Sequence, residues 1–231
     1  MTTKTTKTTP LTIKAAIQTV GSDLGKPSKM PGRSFGISAL RCKIGAALRR
    51  RKGSVCSDCY ALKGRYPAES VAKAHERRGD ALDRALASIP AGDEWVQAMA
   101  FLINKRGKTA ADRYFRWHDS GDLQSVEHLR LIVRVCEITP TTAHWLPTRE
   151  IGMVRAFLDA GGEIPANLNI RVSSYFIGAR PLSRLPQGLT TSTVSWAGAP
   201  RVCPAPTQGG KCGPCRACWD RTVPSVDYKQ H

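Results

Sequence analysis

Apolar residues between positions 67 and 105 recur at helical spacing and predict two consecutive helices. The first begins near Pro67, a favourable first-turn residue, and is expected to direct polar side chains such as His75 and Arg78 largely away from the core. The second is predicted over residues 93–105 and ends before Gly107. The apolar face of the first helix comprises Val71, Ala74, Leu82, Ala85 and Ile89.

Short apolar segments alternate with helical segments over most of the remaining chain. Strands that alternate with helices of about a dozen residues imply right-handed crossovers and a parallel sheet. The predicted fold class is α/β, as either a partial (β/α) barrel or an open parallel sheet, because 231 residues are few for an eight-unit barrel of about 250. Strands are predicted at residues 113–117, 143–146, 168–172 and finally 189–196, and helices at residues 123–138 and 148–160.

The N-terminal part of the chain shows no sustained period. Residues 1–20 are expected to be a disordered basic tail, because the alternating Thr and Lys residues at its start offer little apolar surface to offset the entropy of ordering. Residues 21–53 are rich in Gly, Pro, Ser and basic residues, which is typical of a long functional loop. Residues 21–231 are expected to form a single α/β metal-binding domain with cysteine-rich segments at residues 42–59 and 203–218.

The charge of the chain is strongly positive, with 35 Lys and Arg residues against 18 Asp and Glu residues and a net charge of +17. This balance favours an anionic partner, either a small molecule or a nucleic acid whose phosphates contact residues 49–52 and the N-terminal tail. No apolar run approaches the roughly 20 residues of a membrane span, and the start of the chain has no apolar signal region. We therefore expect a cytoplasmic protein with no membrane partner.

Polar residues directly follow the predicted strands. In parallel α/β folds, ligands bind at the carboxyl ends of the strands, where loops and helix N-termini gather. His118 and Asp119 are the candidates for a catalytic acid–base pair, and Arg149 is the candidate for holding an anion. Asp122 and Thr148 fit either the same site or a role as helix N-caps.

Eight cysteines provide the most specific chemical signal. Clustered thiols in a reducing compartment usually hold metal rather than form disulfides. The C-x-x-C-x-x-C run of Cys212, Cys215 and Cys218, preceded by Cys203, strongly indicates thiolate-bound iron or zinc. Cys136 lies on the apolar face of a predicted helix and is expected to be a buried core thiol.

A second cysteine group consists of Cys42, Cys56 and Cys59, whose C-x-x-C pair also fits half of a zinc site or a redox pair. Together the two groups offer seven thiols, which cannot fill two four-ligand sites. Either one site has a non-cysteine ligand or an open iron, or a single cluster takes ligands from both segments. The expected cofactor is an iron–sulfur cluster of the 4Fe–4S type, with zinc as the alternative.

Four segments carry a resemblance to a known family. They are CSDCYALKGRY at residues 56–66, FRWHDSGDL at residues 115–123, HWLPTRE at residues 144–150, and the closing cysteines within residues 203–219. They resemble the phage-encoded gene product 88 domain family and together span about residues 40–220. The resemblance implies a viral or prophage protein of the host cytoplasm that binds an iron–sulfur cluster.

The order of a cysteine loop followed by βα units is also similar, at a distance, to radical-SAM enzymes. The loop of those enzymes reads C-x-x-x-C-x-x-C, whereas thirteen residues separate Cys42 from Cys56. Two hypotheses follow from the sequence. The first is an iron–sulfur enzyme that acts on a small or nucleotide-like anionic substrate at an open cluster site. The second is a non-catalytic nucleic-acid-binding protein with a structural cluster or zinc.

Overall fold

One parallel sheet organises the protein, whose computed structural model describes residues 10–230. Each strand is parallel to its neighbours. The strand order across the sheet follows the chain, so β1 and β6 are the two open edges. The predicted parallel α/β fold is confirmed, as an open sheet. The strands are β1 (Arg33–Phe35), β2 (Tyr114–Trp117), β3 (Ala143–Thr148), β4 (Leu168–Ser173), β5 (Thr190–Val194) and β6 (Ser225–Tyr228).

The main hydrophobic core lies between the helices and one face of this sheet. Phe35, Trp117 and Leu146 point to this face from three neighbouring strands and join Trp95 and Leu129 of the helices. Within residues 10–230, no helix is both long and apolar enough to cross a membrane. The helices are α1 (Ile13–Val20), α2 (Ile44–Arg49), α3 (Glu69–Ala87), α4 (Ile89–Arg106), α5 (Val126–Ile138) and α6 (Ile151–Asp159).

The C-terminal part of the chain covers the opposite face of the sheet, which we call the inner face. Trp145 of β3 points to this side, and its ring centroid lies 5.3 Å from that of Trp219. The indole N–H of Trp219 donates a hydrogen bond to the backbone oxygen of Phe115 at 2.9 Å. Asn169 and Arg171 of β4 also point to the inner face and bond the same C-terminal segment.

Residues 13–20 form α1 and are not part of a disordered tail, contrary to the prediction. The hydroxyl oxygen of Thr12 caps the helix by accepting from the N–H of Ala15 at 3.2 Å. Ala16 and Val20 are fully buried in the main core. Packing of one apolar helix face orders this segment, and composition alone does not reveal such packing. Residues 1–9, which include the Thr and Lys repeat, lie outside the described residues.

Two edge strands were not predicted, so the strand at residues 189–196 is not the last one. β1 has three residues and β6 has four, and such short segments show too little alternation to be recognised. The short helix α2 also lies in the region that was predicted to be a loop.

Helix α3 buries two polar side chains that were expected to face solvent. His75 is 5% exposed and Arg78 is 6% exposed. The guanidinium of Arg78 donates to the backbone oxygen of Asp23, so its burial does not leave it without a hydrogen bond. Ile89 was assigned to the apolar face of this helix, but it begins α4 and is 80% exposed.

Candidate functional site

Three cysteines meet at the carboxyl ends of the first strands, and we call Cys42, Cys56 and Cys59 the triad. They follow β1 and line a cavity. The centre of a water-sized sphere can occupy about 60 Å³ of this cavity. Asp122, which follows β2, and Arg149, which follows β3, line the same cavity. Roughly 10–15 Å³ already holds one water molecule, so this cavity has room for a ligand of several atoms.

Gly45 of α2 leaves space between two sulfurs of the triad. A Cβ built on Gly45 would lie 3.5 Å from Sγ of Cys42 and 3.7 Å from Sγ of Cys56. It would also lie only 3.0 Å from Cβ of Cys42. Any larger residue would therefore occupy the space that both sulfurs face. This arrangement fits a metal centre held between the thiols.

The triad loop is attached to the sheet edge by hydrogen bonds from distant parts of the chain. The N–H of Val55 donates to the backbone oxygen of Tyr175, which follows β4, at 2.9 Å. Oε1 of Glu150, which follows β3, accepts from the N–H of Ile44 at 2.8 Å. The loop is thus positioned by the ends of two strands that come more than 80 residues later in the chain.

Asp122 joins the ends of β2 and β3. Its Oδ1 accepts from the hydroxyl of Thr148 at 2.6 Å, and its Oδ2 accepts from the N–H of Arg149 at 2.9 Å. Burial raises the pKa of Asp122 in spite of these bonds. Asp122 and Thr148 are therefore not helix N-caps, since Ser125 caps α5 and α6 begins after Glu150. Asp122 instead fixes the backbone from which Arg149 reaches the cavity.

Burial favours the protonated form of two triad thiols in the absence of a metal. It raises the pKa of Cys42 to about 12 and raises that of Cys56, while the positive charge of Arg149 lowers both. A cysteine nucleophile or a redox C-x-x-C pair uses a lowered thiol pKa. Metal ions displace thiol protons when they bind, so the triad suits a metal site better than nucleophilic catalysis.

His118, a candidate for the catalytic acid–base pair, faces the helix layer. Its ring centroid lies 5.2 Å from that of His128 in α5, and the residue is 3% exposed. Its backbone φ of 53° lies in the left-handed region, so the chain turns sharply here. Burial lowers the pKa of His118 well below its usual value, and the charges of His128 and Arg116 act in the same direction. The structure places His118 beside α5 and not on the triad cavity.

Asp119, the other member of the predicted pair, lies beside the triad loop. Its backbone oxygen accepts from the hydroxyls of Tyr60 at 2.8 Å and Tyr66 at 3.2 Å. The ring of Tyr66 stacks on that of His75 in α3. Burial lowers the pKa of His75, and the negative charge of Asp119 opposes this shift. The charge of Asp119 therefore acts on His75 of α3.

The remaining clustered cysteines lie at the inner face, and we call Cys203, Cys212, Cys215 and Cys218 the quartet. The N–H of Cys203 donates to the backbone oxygen of Asp227 in β6 at 2.8 Å. Sγ of Cys218 lies 3.2 Å from the hydroxyl oxygen of Tyr228. Cys136 is fully buried in α5, as predicted.

The two cysteine groups are electrostatically separate. After burial, the thiols that raise the pKa of Cys212 are Cys203 and Cys215. The thiols that raise the pKa of Cys42 are the other two members of the triad. Within residues 10–230, no group of three or more His, Cys, Asp or Glu side chains is arranged to hold a metal ion. In a 4Fe–4S cluster each thiolate binds a different iron, so the cluster ligands need not converge on one point.

A model of the family described as gene product 88 matches residues 3–221. The chain belongs to the gene product 88 family. The predicted family is thereby confirmed, and membership supports a bacteriophage origin. Searches of curated proteins and of solved structures gave no significant match. Both cysteine groups lie within the matched part of the chain.

Several residues that build the site of this gene product 88 family member were not predicted. Gly45 could have been suspected, because it is a glycine between the first two cysteines of the triad. Glu150 and His75 carried no such signal, since their roles depend on contacts with residues far away in the sequence. Arg171 was hidden within an apolar strand pattern, although it is fully buried.

Proposed function

We propose that this member of the gene product 88 family binds an iron–sulfur cluster at the triad and acts as an enzyme on a small or nucleotide-like anionic substrate. The division of the seven clustered cysteines into three and four carries this proposal. A cluster of the 4Fe–4S type held by Cys42, Cys56 and Cys59 has one iron without a cysteine ligand. That iron would supply Lewis-acid chemistry at the cavity.

The surroundings of the triad support an anionic substrate. Arg149 lines the cavity, and Arg49 of α2 lines it as well. A guanidinium presents several donors in a fixed plane and suits carboxylate or phosphate groups. Asp122 holds the backbone N–H of Arg149, so the position of this cation is set by the sheet. Arg149 would orient the substrate at the cluster.

Acid–base chemistry at this site would fall to Asp119 rather than to His118. Asp119 follows β2, and its backbone oxygen accepts from the hydroxyl of Tyr60, which directly follows Cys59 of the triad. Burial lowers the pKa of His118, its ring lies against that of His128 in α5, and it is not among the residues that line the cavity. His118 would therefore support the turn that carries Asp119.

The distant resemblance to radical-SAM enzymes makes S-adenosylmethionine a candidate ligand. The triad follows β1 of a sequentially ordered parallel sheet, in agreement with a cysteine loop followed by βα units. The spacing between Cys42 and Cys56 departs from that of the known loop. S-adenosylmethionine is therefore one of the anion-bearing small molecules to test as a ligand of the open iron.

The experiment is anaerobic purification followed by iron, sulfide and zinc analysis and absorption spectroscopy. We expect brown protein with iron and acid-labile sulfide. The Cys59→Ser variant should have lost the iron and sulfide that the triad binds. Cys136→Ala is the matched control, because Cys136 is a core thiol outside both groups, and its metal content should be unchanged. Colourless protein that carries only zinc, or unchanged iron in Cys59→Ser, would contradict the proposal.

A second measurement tests the open iron. The electron paramagnetic resonance spectrum of the reduced cluster should change when S-adenosylmethionine, a nucleotide or a small carboxylate binds to that iron. An Arg149→Gln variant should retain the cluster but need a higher concentration of the anion. A spectrum that no anion alters would indicate a fully ligated cluster.

The alternative function is non-catalytic binding of nucleic acid. The observation in its favour is the exposed basic run Arg50, Arg51 and Lys52, which lies between Cys42 and Cys56 of the triad loop. Under this hypothesis a cluster or a zinc ion has a structural role, in that it holds the basic loop in its conformation, and takes no part in catalysis. The two functions differ in one respect, since nucleic-acid binding would survive Arg149→Gln and would depend on the basic run.

A further inference from the structure

We infer that the quartet is a second metal site, closed by four thiolates, which holds residues 203–223 against the inner face of the sheet. The site is distinct from the triad and does not rest on the function proposed for it. Its ligand is a thiophilic metal centre: a 4Fe–4S cluster fits four thiols that do not converge on one point, whereas a zinc ion would require them to converge.

Backbone hydrogen bonds fix three of the four quartet cysteines. The N–H of Cys203 bonds β6 at Asp227, and the N–H of Cys212 donates to the backbone oxygen of Lys29 at 2.8 Å. The N–H of Cys215 donates to the oxygen of Cys212 at 3.1 Å, which forms the tight turn of a C-x-x-C ligand pair. The fold thus gathers thiols that are up to fifteen positions apart in the sequence.

Arg171 is the observation that points to a negatively charged ligand here. It is fully buried, and its guanidinium donates only to backbone oxygens, including those of Thr191 at 2.6 Å and Ala217 at 2.9 Å. None of the ion pairs within residues 10–230 includes it. Asp220 lies within electrostatic range of Arg171 but forms no ion pair with it, and a buried cation without a close anionic partner is costly. Cys218 of the quartet directly follows Ala217 in the chain and is the candidate source of that anion.

Three more guanidinium groups surround the quartet. Nη2 of Arg201 lies 4.0 Å from Sγ of Cys215. The guanidinium of Arg216 donates to the backbone oxygens of Gly213 and Cys215, and that of Arg116 lies 4.6 Å from the ring centroid of Trp145 on the inner face. Four thiolates around a divalent ion or a cluster leave a net negative charge, which these arginines would compensate.

The segment that carries the quartet has little regular structure of its own. Between β5 and β6 it contains one short helical turn, Ala205–Thr207, and three glycines with positive φ. Its buried apolar residues form a small cluster around Trp145 and Trp219. Segments with so few apolar contacts are usually held by metal or disulfides, because bound metal contributes folding free energy. The positive-φ glycines are Gly209, Gly210 and Gly213.

The experiment compares full-length variants that lack one site or the other. Replacement of Cys42, Cys56 and Cys59 by Ser should leave one metal centre per chain, and Cys215→Ser should remove that centre. Zinc, iron and sulfide analysis then distinguishes a zinc ion from a cluster. A triad triple variant without any metal, or Cys215→Ser with the same metal content as the parent chain, would overturn the inference.

Limited proteolysis provides a readout that is independent of metal analysis. Trypsin should cleave Cys215→Ser after the exposed Lys211 about tenfold faster or more, because cleavage follows the population of the opened segment. Cys59→Ser should be cleaved there at the parental rate. Equal cleavage of both variants would contradict a holding role for the quartet.

Cobalt titration covers the case in which Cys215→Ser does not fold. Metal-free parental protein and the triad triple variant should both bind Co²⁺ with intense thiolate-to-metal charge-transfer absorption. Absence of that absorption in the triple variant would exclude a four-thiolate site. The function proposed for the triad is tested separately, by whether the triad variants change the iron content.

Discussion

Oε1 of Glu150 accepts a hydrogen bond from the backbone N–H of Ile44 at 2.8 Å. Glu150 follows β3, whereas Ile44 is the first residue of α2 and comes two residues after Cys42 of the triad. This bond joins the loop that carries a candidate metal ligand to the carboxyl edge of the sheet. The position of Cys42 therefore depends on a bond that spans 106 positions of the chain.

Replacement of Glu150 by Ala should lower the free energy of unfolding by about 1–3 kcal/mol, because the amide of Ile44 would be left without its acceptor. Urea unfolding of the metal-free protein measures this change. Glu150→Gln is the matched control, since it keeps an acceptor oxygen, and burial already raises the pKa of the carboxyl toward the neutral form. Equal destabilisation in both variants would show that charge, and not the hydrogen bond, matters.

Gly45→Ala should reduce metal binding at the triad, because the added Cβ would lie within 4 Å of two sulfurs. Gly152 in α6 is the control, since a Cβ there would meet no atom within 4 Å. Gly152→Ala should leave the metal content unchanged and raise stability by about 0.5–1 kcal/mol, as expected for alanine in a helix. Full iron loading of Gly45→Ala would show that the space between these sulfurs is not where the metal lies.

Acid should destabilise the fold through its buried histidines. Burial lowers the pKa of His128 and of His144 to about 3 in the folded state, whereas the unfolded value is near 6.5. The unfolded chain therefore binds more protons than the folded chain does. The stability that the two neutral histidines contribute above about pH 6.5 is lost as the pH falls toward 3. Each histidine contributes a slope of up to about 1.4 kcal/mol per pH unit.

His144→Gln should remove the share of one histidine from that slope. Asp122 and Glu150 have raised pKa values, which make the protein more stable as the pH falls. Subtracting the pH slope of the variant from that of the parent chain cancels their contribution and leaves that of His144. Urea unfolding of metal-free protein between pH 7 and pH 5 provides the measurement, because acid also displaces metal from thiolates. Parallel pH profiles for the two proteins would contradict the burial argument.

Nucleic-acid binding, if it occurs, should depend on the basic run of the triad loop and on salt. Joint replacement of Arg50, Arg51 and Lys52 by Ser should weaken binding to DNA or RNA of any sequence. It should also reduce the slope of log K against log salt by about 0.9 for each phosphate that the variant no longer neutralises. The run is exposed, so the metal content should not change.

The control for this experiment removes equal charge elsewhere. Arg84, Lys105 and Lys108 are exposed on or just after the outer helices α3 and α4. Their joint replacement by Ser should have a smaller effect on affinity than replacement of the loop residues. If both triple variants are weakened equally, binding reflects the overall charge of +17 and no particular surface.

The parallel α/β architecture could be predicted because its signals are local. Helix α5 and strand β4 show their periods within a dozen residues, and Cys136 shows its burial by its place on a helix face. The number of clustered thiols was equally available from the sequence. Short edge strands such as β1 gave no such signal, since three residues cannot establish a period.

Only the tertiary structure decided which of these residues meet. The cysteines divide into triad and quartet because the first group follows β1 and the second lies across the inner face, which depends on the strand order. His118 and Asp119 are adjacent in the chain, yet the ring of His118 lies against that of His128, whereas the charge of Asp119 acts on His75. Local periodicity encodes whether a residue is buried, whereas the partner that it meets is set by the packing of segments that are far apart in the sequence.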